Sequence, residues 1–426
     1  MQVLVINGSP AGKNSITLQT VLYIQKHFPE VSFRILDAGQ KIKSIEKDFS
    51  ECRKLLSEAD LLLFCYPVYT FLVPAQLHRF IELIKEHNIN LSGKYATQLT
   101  TSKHFYDTTA HQFIQDNCED LGLRYIRGLS ADMEDLLHEK GRNEALSFFR
   151  YILWSMDKRR TGMSSASLVI VTDTDFSVDS GLNRMISYFQ ECAENKAVIV
   201  NLADFPFSGG CLGCFNCASE GKCIYKDGFD QFLREHIQSS DAIIYAFTVK
   251  DHSMGYRFKL YDDRQFCNGH RTVTMGRPVS YLVSGNLDKE PNLRTVIEAR
   301  AQVGGNFLAG IATDQTDPEN EITDLLNTLS YAIENNYQPP KNFYGVGGLK
   351  IFRDLIYQMQ GLMREDHRFY KKHGFYDFPQ KHKAKIAAMY LVGGMMRNKV
   401  LSKKAGNKMT QGMLMPYQKV LKKSSS

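Results

Sequence analysis

The chain opens on a continuous apolar run, VLVIN (3–7), which turns at GSPAGKNS into a stretch of helical spacing, ITLQTVLYIQKHF. Apolar runs without alternation are the mark of parallel strands covered on both faces. The same rhythm continues through VSFRILD (31–37), ADLLLFCYP (59–67), KYATQLTTS (94–102) and LRYIRGLSA (123–131). The third run is the most apolar and is expected at the centre. PAQLHRFIELIKEH (74–87) has helical spacing and starts on a proline, where a missing N–H costs nothing. A last helix is expected over about 140–158. Five such strand–helix units predict an open, doubly wound parallel sheet in the order 2-1-3-4-5.

The pattern then restarts. LVIVTDT (168–174), AVIVNLAD (197–204), the end of FDQFLREHIQSSDAIIYAFTV (229–249), RPVSYLVSG (277–285) and GNFLAGIA (305–312) read as strands. Helices are expected at 180–194, from Leu293, and at 318–335. The repeat of about 165 residues predicts a tandem duplication of one α/β fold rather than a short-repeat solenoid. YQPPKNFYGVGG (337–348) breaks the pattern. The expected organisation is therefore an α/β domain over 1–160, a second over 166–336, and a mostly helical segment over 341–426.

Composition adds two constraints. Apolar residues at 43% and charged residues at 23% suit a soluble globular chain. The charge is uneven: residues 341–426 carry 18 Lys and Arg against four Asp and Glu, a formal +14, while the whole chain is +6. That segment is either a solvated tail or a docking surface, for an acidic electron carrier or anionic lipid. Nucleic acid is not expected, because no reading motif accompanies the charge. IAAMYLVGGMM (386–396) is too short to span a bilayer, which needs about 20 apolar residues. Nine cysteines, an odd count with no secretory leader evident, argue for a reducing, cytoplasmic setting.

The first candidate site is NGSPAGKNSIT (7–17), between strand one and helix one. A helix N-terminus offers N–H groups and the positive end of its dipole to an anion. Ser9, Asn14, Ser15 and Thr17 add hydrogen-bonding groups and Lys13 a charge, all suited to a phosphomonoester. The spacing is not Walker A, nor the dinucleotide GxGxxG. Ligands of doubly wound sheets lie beyond the carboxyl ends of the strands. Two more loops converge there: Pro67, Val68 and Tyr69 after strand three, and TTSKHFYD (100–107) with Thr101 and Ser102 after strand four. No general acid or base is identifiable; His104 and Tyr106 read as loop residues.

The second candidate is GGCLGCFNCASEGKC (209–223), which places Cys211, Cys214, Cys217 and Cys223 in a C-x2-C-x2-C-x5-C run after strand two of the second half. Three cysteines at this interval wrap a short backbone round one face of a cubane, and a fourth completes ligation of a [4Fe–4S] cluster. Structural zinc sites use two separated pairs instead. Zinc, loose thiols and a disulfide stay open as alternatives.

At these residues the chain resembles the flavodoxin-like NAD(P)H-dependent FMN reductases and their iron–sulfur flavoprotein branch. GSPAGKNSIT is similar to the family's loop for the FMN phosphate, and YPVYTFLVPAQLHRFIEL to its loop beside the isoalloxazine. His78 stands where the family usually has Lys, and Glu82 where Asp is common. The cysteine run resembles the branch's cluster motif, with KDGF (226–229) like its KDDM, and DDR (262–264) like the family's I-D-R. The resemblance implies FMN on the first half. In the second half TDTDFSVDSGLN (172–183) puts aspartates where a phosphate turn is expected, so FMN is not expected there.

Three readings follow. One is an iron–sulfur flavoprotein oxidoreductase passing electrons between a [4Fe–4S] cluster and FMN, linking NAD(P)H or a one-electron carrier such as a ferredoxin to a small-molecule acceptor. A second is an NAD(P)H-dependent FMN, quinone or nitro reductase without a cluster. A third is a non-enzymatic carrier or redox sensor. A homodimer is compatible with all three.

Overall fold

The computed structural model describes residues 1–157, 166–396 and 399–424, with side chains outside 395–410. The expected domain limit at 160 lies outside the described residues. Among them the chain forms eleven strands: β1 (Gln2–Asn7), β2 (Ser32–Leu36), β3 (Leu61–Pro67), β4 (Tyr95–Ser102), β5 (Arg124–Tyr125), β6 (Leu129–Asp132), β7 (Leu168–Thr172), β8 (Val198–Asn201), β9 (Ala242–Thr248), β10 (Pro278–Ser284) and β11 (Phe307–Thr313). They make two parallel sheets. The first has the order β2-β1-β3-β4-β5, with β6 also paired to β4; the second runs β8-β7-β9-β10-β11. Both are the 2-1-3-4-5 order read from the sequence, and the α/β class holds for each half.

The chain divides into two compact units, Met1–Lys158 with Phe378–Ser426, and Arg159–Asp377. In the first, β3 lies at the centre. Leu61–Tyr66 are all at most 1% exposed, which is why that run carries no polar residue. The expected fifth strand is interrupted between β5 and β6. A Cβ at Gly128 would stand 2.3 Å from Gln98 Cγ and 2.5 Å from its carbonyl oxygen, so the chain passes β4 there on a glycine. Gln98 itself is held by Tyr66 Oη at 2.5 Å and donates to the His111 carbonyl at 3.0 Å. The helix Lys399–Lys423 returns to this unit. Tyr417 packs with Tyr23 and Leu136 and donates its hydroxyl to the Met133 carbonyl at 2.8 Å.

In the second unit β10 and β11 pair through a register shift between Val279 and Ser280. The expected break ends at Asn342, whose side chain accepts from the Tyr344 N–H and caps the helix Phe343–Gln358. This helix and the next, Arg364–Lys372, pack with Ala218 in a cluster of Ile356, Met363 and Tyr370. Residues 341–377 thus cover the cysteine loop of their own unit, whereas 378–424 belong with the first unit.

No described helix is long and apolar enough to cross a membrane.

Candidate functional sites

In the first unit the turn after β1 is built by Asn7. Its side chain donates to the Gly12 carbonyl at 3.1 Å and to Asp37 Oδ1 at 2.8 Å, and accepts from the Ser9 N–H at 3.3 Å. Ser9 is buried, and its hydroxyl accepts from the Ala11 N–H at 3.3 Å. Gly12, Asn14 and Ser15 donate their N–H groups to Ser9, Ala11 and Gly12 carbonyls. Ser15 caps the helix Ile16–His27 by accepting from the Leu18 N–H. The first helical N–H groups have no acceptor within the helix. Lys13 and Asn14 are exposed at the rim of this loop.

Two of the sequence candidates meet directly. Thr17 Oγ1 and Thr101 Oγ1 are 2.6 Å apart and buried, which ties the turn after β1 to the end of β4. Ser102 is buried as well, accepting from the His104 N–H at 2.8 Å. Pro67 and Val68 are half-buried, while Tyr69 is 49% exposed. Tyr69 and Leu72 exchange backbone hydrogen bonds, closing a turn whose middle residues, Thr70 and Phe71, have φ of 47° and 73°. That turn aims Phe71 at Phe105 and Tyr106, with ring centroids 5.3 and 5.1 Å away. All three rings are more than 40% exposed, an aromatic platform on the loops beyond the strand ends.

Beneath it lies a buried polar cluster that the sequence reading set aside. His104 Nδ1 is 2.9 Å from Asp107 Oδ2, and Ser130 donates to the same oxygen at 2.5 Å. Burial pushes the Asp107 carboxyl up, but the bonds from His104 and Ser130 outweigh it and hold it below its ordinary value. His111, 2.9 Å from Thr100 Oγ1, is driven by burial down to about 4 and stays neutral. Cys65 is buried with its thiol pushed up by desolvation, the condition of a packing residue.

Gly39 was also missed. A Cβ there would stand 2.4 Å from the Gly8 carbonyl oxygen and 2.6 Å from the Ser9 carbonyl carbon. The helix Ala38–Ile45 therefore presses on the turn backbone through a glycine. No local signal marks that residue, since the contact spans thirty positions.

In the second unit a carboxylate from just after β11 stands beside the equivalent turn. A Cβ on Gly181, the first residue of the helix Gly181–Cys192, would meet Asp314 Oδ2 at 2.2 Å. Asp314 is fixed there by Ser284 Oγ at 2.5 Å and the Gly285 N–H at 2.9 Å.

The four clustered cysteines line one cavity of about 200 Å³, with Cys267 as a fifth. Cys211 and Cys214 are exposed, and Cys217 and Cys223 half-buried. Burial, then Asp366, pushes the Cys217 thiol up. Burial pushes Cys267 up to about 12, which marks it as a protonated packing thiol despite its position. Among the described residues, no three His, Cys, Asp or Glu side chains stand close enough together to hold a metal ion. The cysteines share a cavity, then, without converging on a point.

Two buried charge networks hold the loop. Arg264 forms a two-pronged pair with Asp227, both bonds 2.8 Å, and donates to the Gly209 carbonyl at 2.9 Å. These bonds, ahead of burial's opposing effect, hold the Asp227 carboxyl well below the usual range. The second network centres on Asp366, fully buried. It accepts from the His270 N–H at 3.0 Å and from Arg271 at 3.0 Å, and Arg271 also donates to the Cys217 carbonyl at 3.1 Å. The KDGF and DDR segments are thus partners across the loop, which neither segment reveals alone.

Residues 1–118 match the model of the NADPH-dependent FMN reductase family. Over these residues the chain is similar to that family. The match supports a flavin-dependent oxidoreductase with FMN as its cofactor. The chain is also related to two iron–sulfur flavoproteins. One, from Archaeoglobus fulgidus, is 24% identical over 176 residues, 39% of this chain and 79% of the relative. The other, from Clostridioides difficile strain 630, is 22% identical over 171 residues, 37% and 76% of the respective chains. Among solved structures, an FMN-dependent NADH-azoreductase from Bacillus anthracis overlaps 35% of this chain and 98% of its own, with 12% identity and a TM-score of 0.30.

Proposed function

We propose that the protein is an iron–sulfur flavoprotein that moves electrons between FMN on its first unit and a [4Fe–4S] cluster on its second. The observation that carries the reading is the cavity lined by Cys211, Cys214, Cys217 and Cys223 in a chain whose residues 1–118 match the FMN reductase family.

The donor types present suit both groups. For FMN, Lys13, Asn14 and the N-terminus of the helix Ile16–His27 form the phosphate end. Phe71, Phe105 and Tyr106 supply apolar surface on the loops that flank the ring. For a cluster, four thiols share one cavity, and Phe215, with φ of 61°, and Gly213, also 61°, let the loop wrap tightly. When bound, FMN exchanges one or two electrons and the cluster one. The chain contributes orientation, water exclusion and fixed dipoles. Asp107 and Ser130 hold His104 in place beneath the platform. An acidic one-electron carrier would meet residues 378–424, which contain eleven Lys and Arg and no Asp or Glu.

A second reading, an NAD(P)H-dependent flavin reductase without a cluster, is favoured by one observation: the cysteines are not drawn to a common ligation point.

Anaerobic purification followed by iron, sulfide and flavin analysis tests both. About four iron and four sulfide per FMN, lost in Cys214→Ala with FMN retained, is the expected result for a four-cysteine cubane. FMN alone, with no iron in the wild type, overturns the first reading in favour of the second.

A further inference from the structure

Arg264 is 1% exposed and lines the cysteine cavity. Its two terminal nitrogens are engaged by Asp227, and one of them also by Gly209. The guanidinium lies 4.5 Å from the Tyr225 ring centre and 5.0 Å from that of Phe229. Tyr225 in turn donates its hydroxyl to the Gly210 carbonyl at 3.1 Å. The fork therefore grips the chain just before Cys211 and just after Cys223. One donor is left over: Nε is buried and has no hydrogen-bond partner.

A buried charged donor without an acceptor is costly. The guanidinium fork is planar and rigid, so fixing its two ends also fixes the direction of Nε–H. The cavity that Arg264 lines also holds Cys211, Cys214, Cys217 and Cys223 among apolar neighbours, and thiolate and inorganic sulfide both accept hydrogen bonds. Hydrogen bonds to cluster sulfur are among the levers that set a cluster's potential.

We propose that Arg264 is a positioning residue of the cysteine site, and that its Nε–H donates to a sulfur of the bound cluster and raises its reduction potential. This rests on the four-cysteine cluster reading. Asp227 acts through Arg264: it neutralises the cation and sets the angle of the fork. The donated bond stabilises the reduced, more negative cluster more than the oxidised one, so its loss lowers the potential. No proton moves.

The test uses the full chain, purified anaerobically, as wild type and Arg264→Lys. Lysine keeps the charge and one contact with Asp227 but has no Nε–H. The expected result is equal iron and sulfide in both proteins, with a cluster midpoint in the variant lower by a tenfold change in the reduction equilibrium, about 59 mV for a one-electron couple. The FMN midpoint and FMN affinity stay unchanged. Should Arg264→Lys not fold or load, the wild type carries the test alone. After growth on ¹⁵N-arginine, pulsed EPR of the reduced cluster should show a weak ¹⁵N coupling. A loaded wild type with neither that coupling nor a shifted midpoint in the variant overturns the role of Arg264 and leaves the cluster reading standing. Wild-type protein free of iron and sulfide overturns both.

Discussion

Replacing Gly39 with alanine should cripple FMN binding from outside the binding loop. The new methyl carbon would stand 2.4 Å from the Gly8 carbonyl oxygen, 2.5 Å from its carbon and 2.6 Å from the Ser9 carbonyl carbon. All three are backbone atoms, so no rotamer change relieves the clash. Non-bonded carbons settle at roughly 3.5–4.0 Å, so either the turn or the helix Ala38–Ile45 must retreat by about 1 Å. The turn is pinned to β3 by the Gly8 N–H to the Cys65 carbonyl at 2.9 Å and tied to the start of that same helix by Asn7 to Asp37 at 2.8 Å, so neither partner moves freely. A displacement of that size breaks one charge-assisted contact with the phosphate, about 1.5–3 kcal/mol, which is a roughly 10- to 100-fold rise in Kd. Overpacking should also lower stability by about 1–3 kcal/mol. The assay is a titration of FMN fluorescence quenching on deflavinated protein, beside a denaturant melt of the same sample. Gly93→Ala is the control: its φ is 80° and no atom lies within 4 Å of the added carbon, so it strains the backbone without touching the turn. It should lose stability and keep its FMN affinity. If Gly39→Ala binds FMN within twofold of wild type, the turn after β1 is not the phosphate seat.

Other outcomes are expected. His111 is held neutral down to about 4, whereas in the unfolded chain it protonates near 6.5. Its contribution is therefore complete above pH 6.5 and lost as the pH falls to about 4, by about 3 kcal/mol; urea melts across that window should show the loss in wild type, and an equal loss in His111→Asn would refute it. Asp227→Leu leaves the Arg264 cation buried without a counter-charge and should cost about 3–5 kcal/mol of stability. Adding Arg264→Met should recover part of that loss in chemical denaturation, and a double variant no more stable than the single would show that the pair is not coupled. Because the Asp227 carboxyl sits below the ordinary range, its stabilisation is present above about pH 4 and disappears as the pH drops further. Asp366→Ala removes the acceptor shared by His270 and Arg271 and should raise amide hydrogen exchange across 211–223, measured by mass spectrometry; unchanged exchange there would separate Asp366 from the loop's order.

The succession of strands and helices, the doubling of the fold and both candidate loops were legible from periodicity and spacing, because each is a local property, and the strand order followed from the fold class that succession implies. A central strand buried on both faces is mostly apolar, as Leu61–Tyr66 are, and that leaves a clear run. Cysteines that share a cavity from one short loop must also lie close in sequence. The contacts that finish the sites are of another kind. Thr17 meets Thr101 across 84 positions, Arg264 meets Asp227 across 37, and His270 meets Asp366 across 96. Local patterning carries no trace of such pairs, since a serine, an aspartate or a glycine looks the same whether it faces water or another backbone. Only the packing of parallel strands decides which loop ends meet, and with them which threonine is buried, which carboxylate loses its proton early, and which arginine is left with a donor to spare.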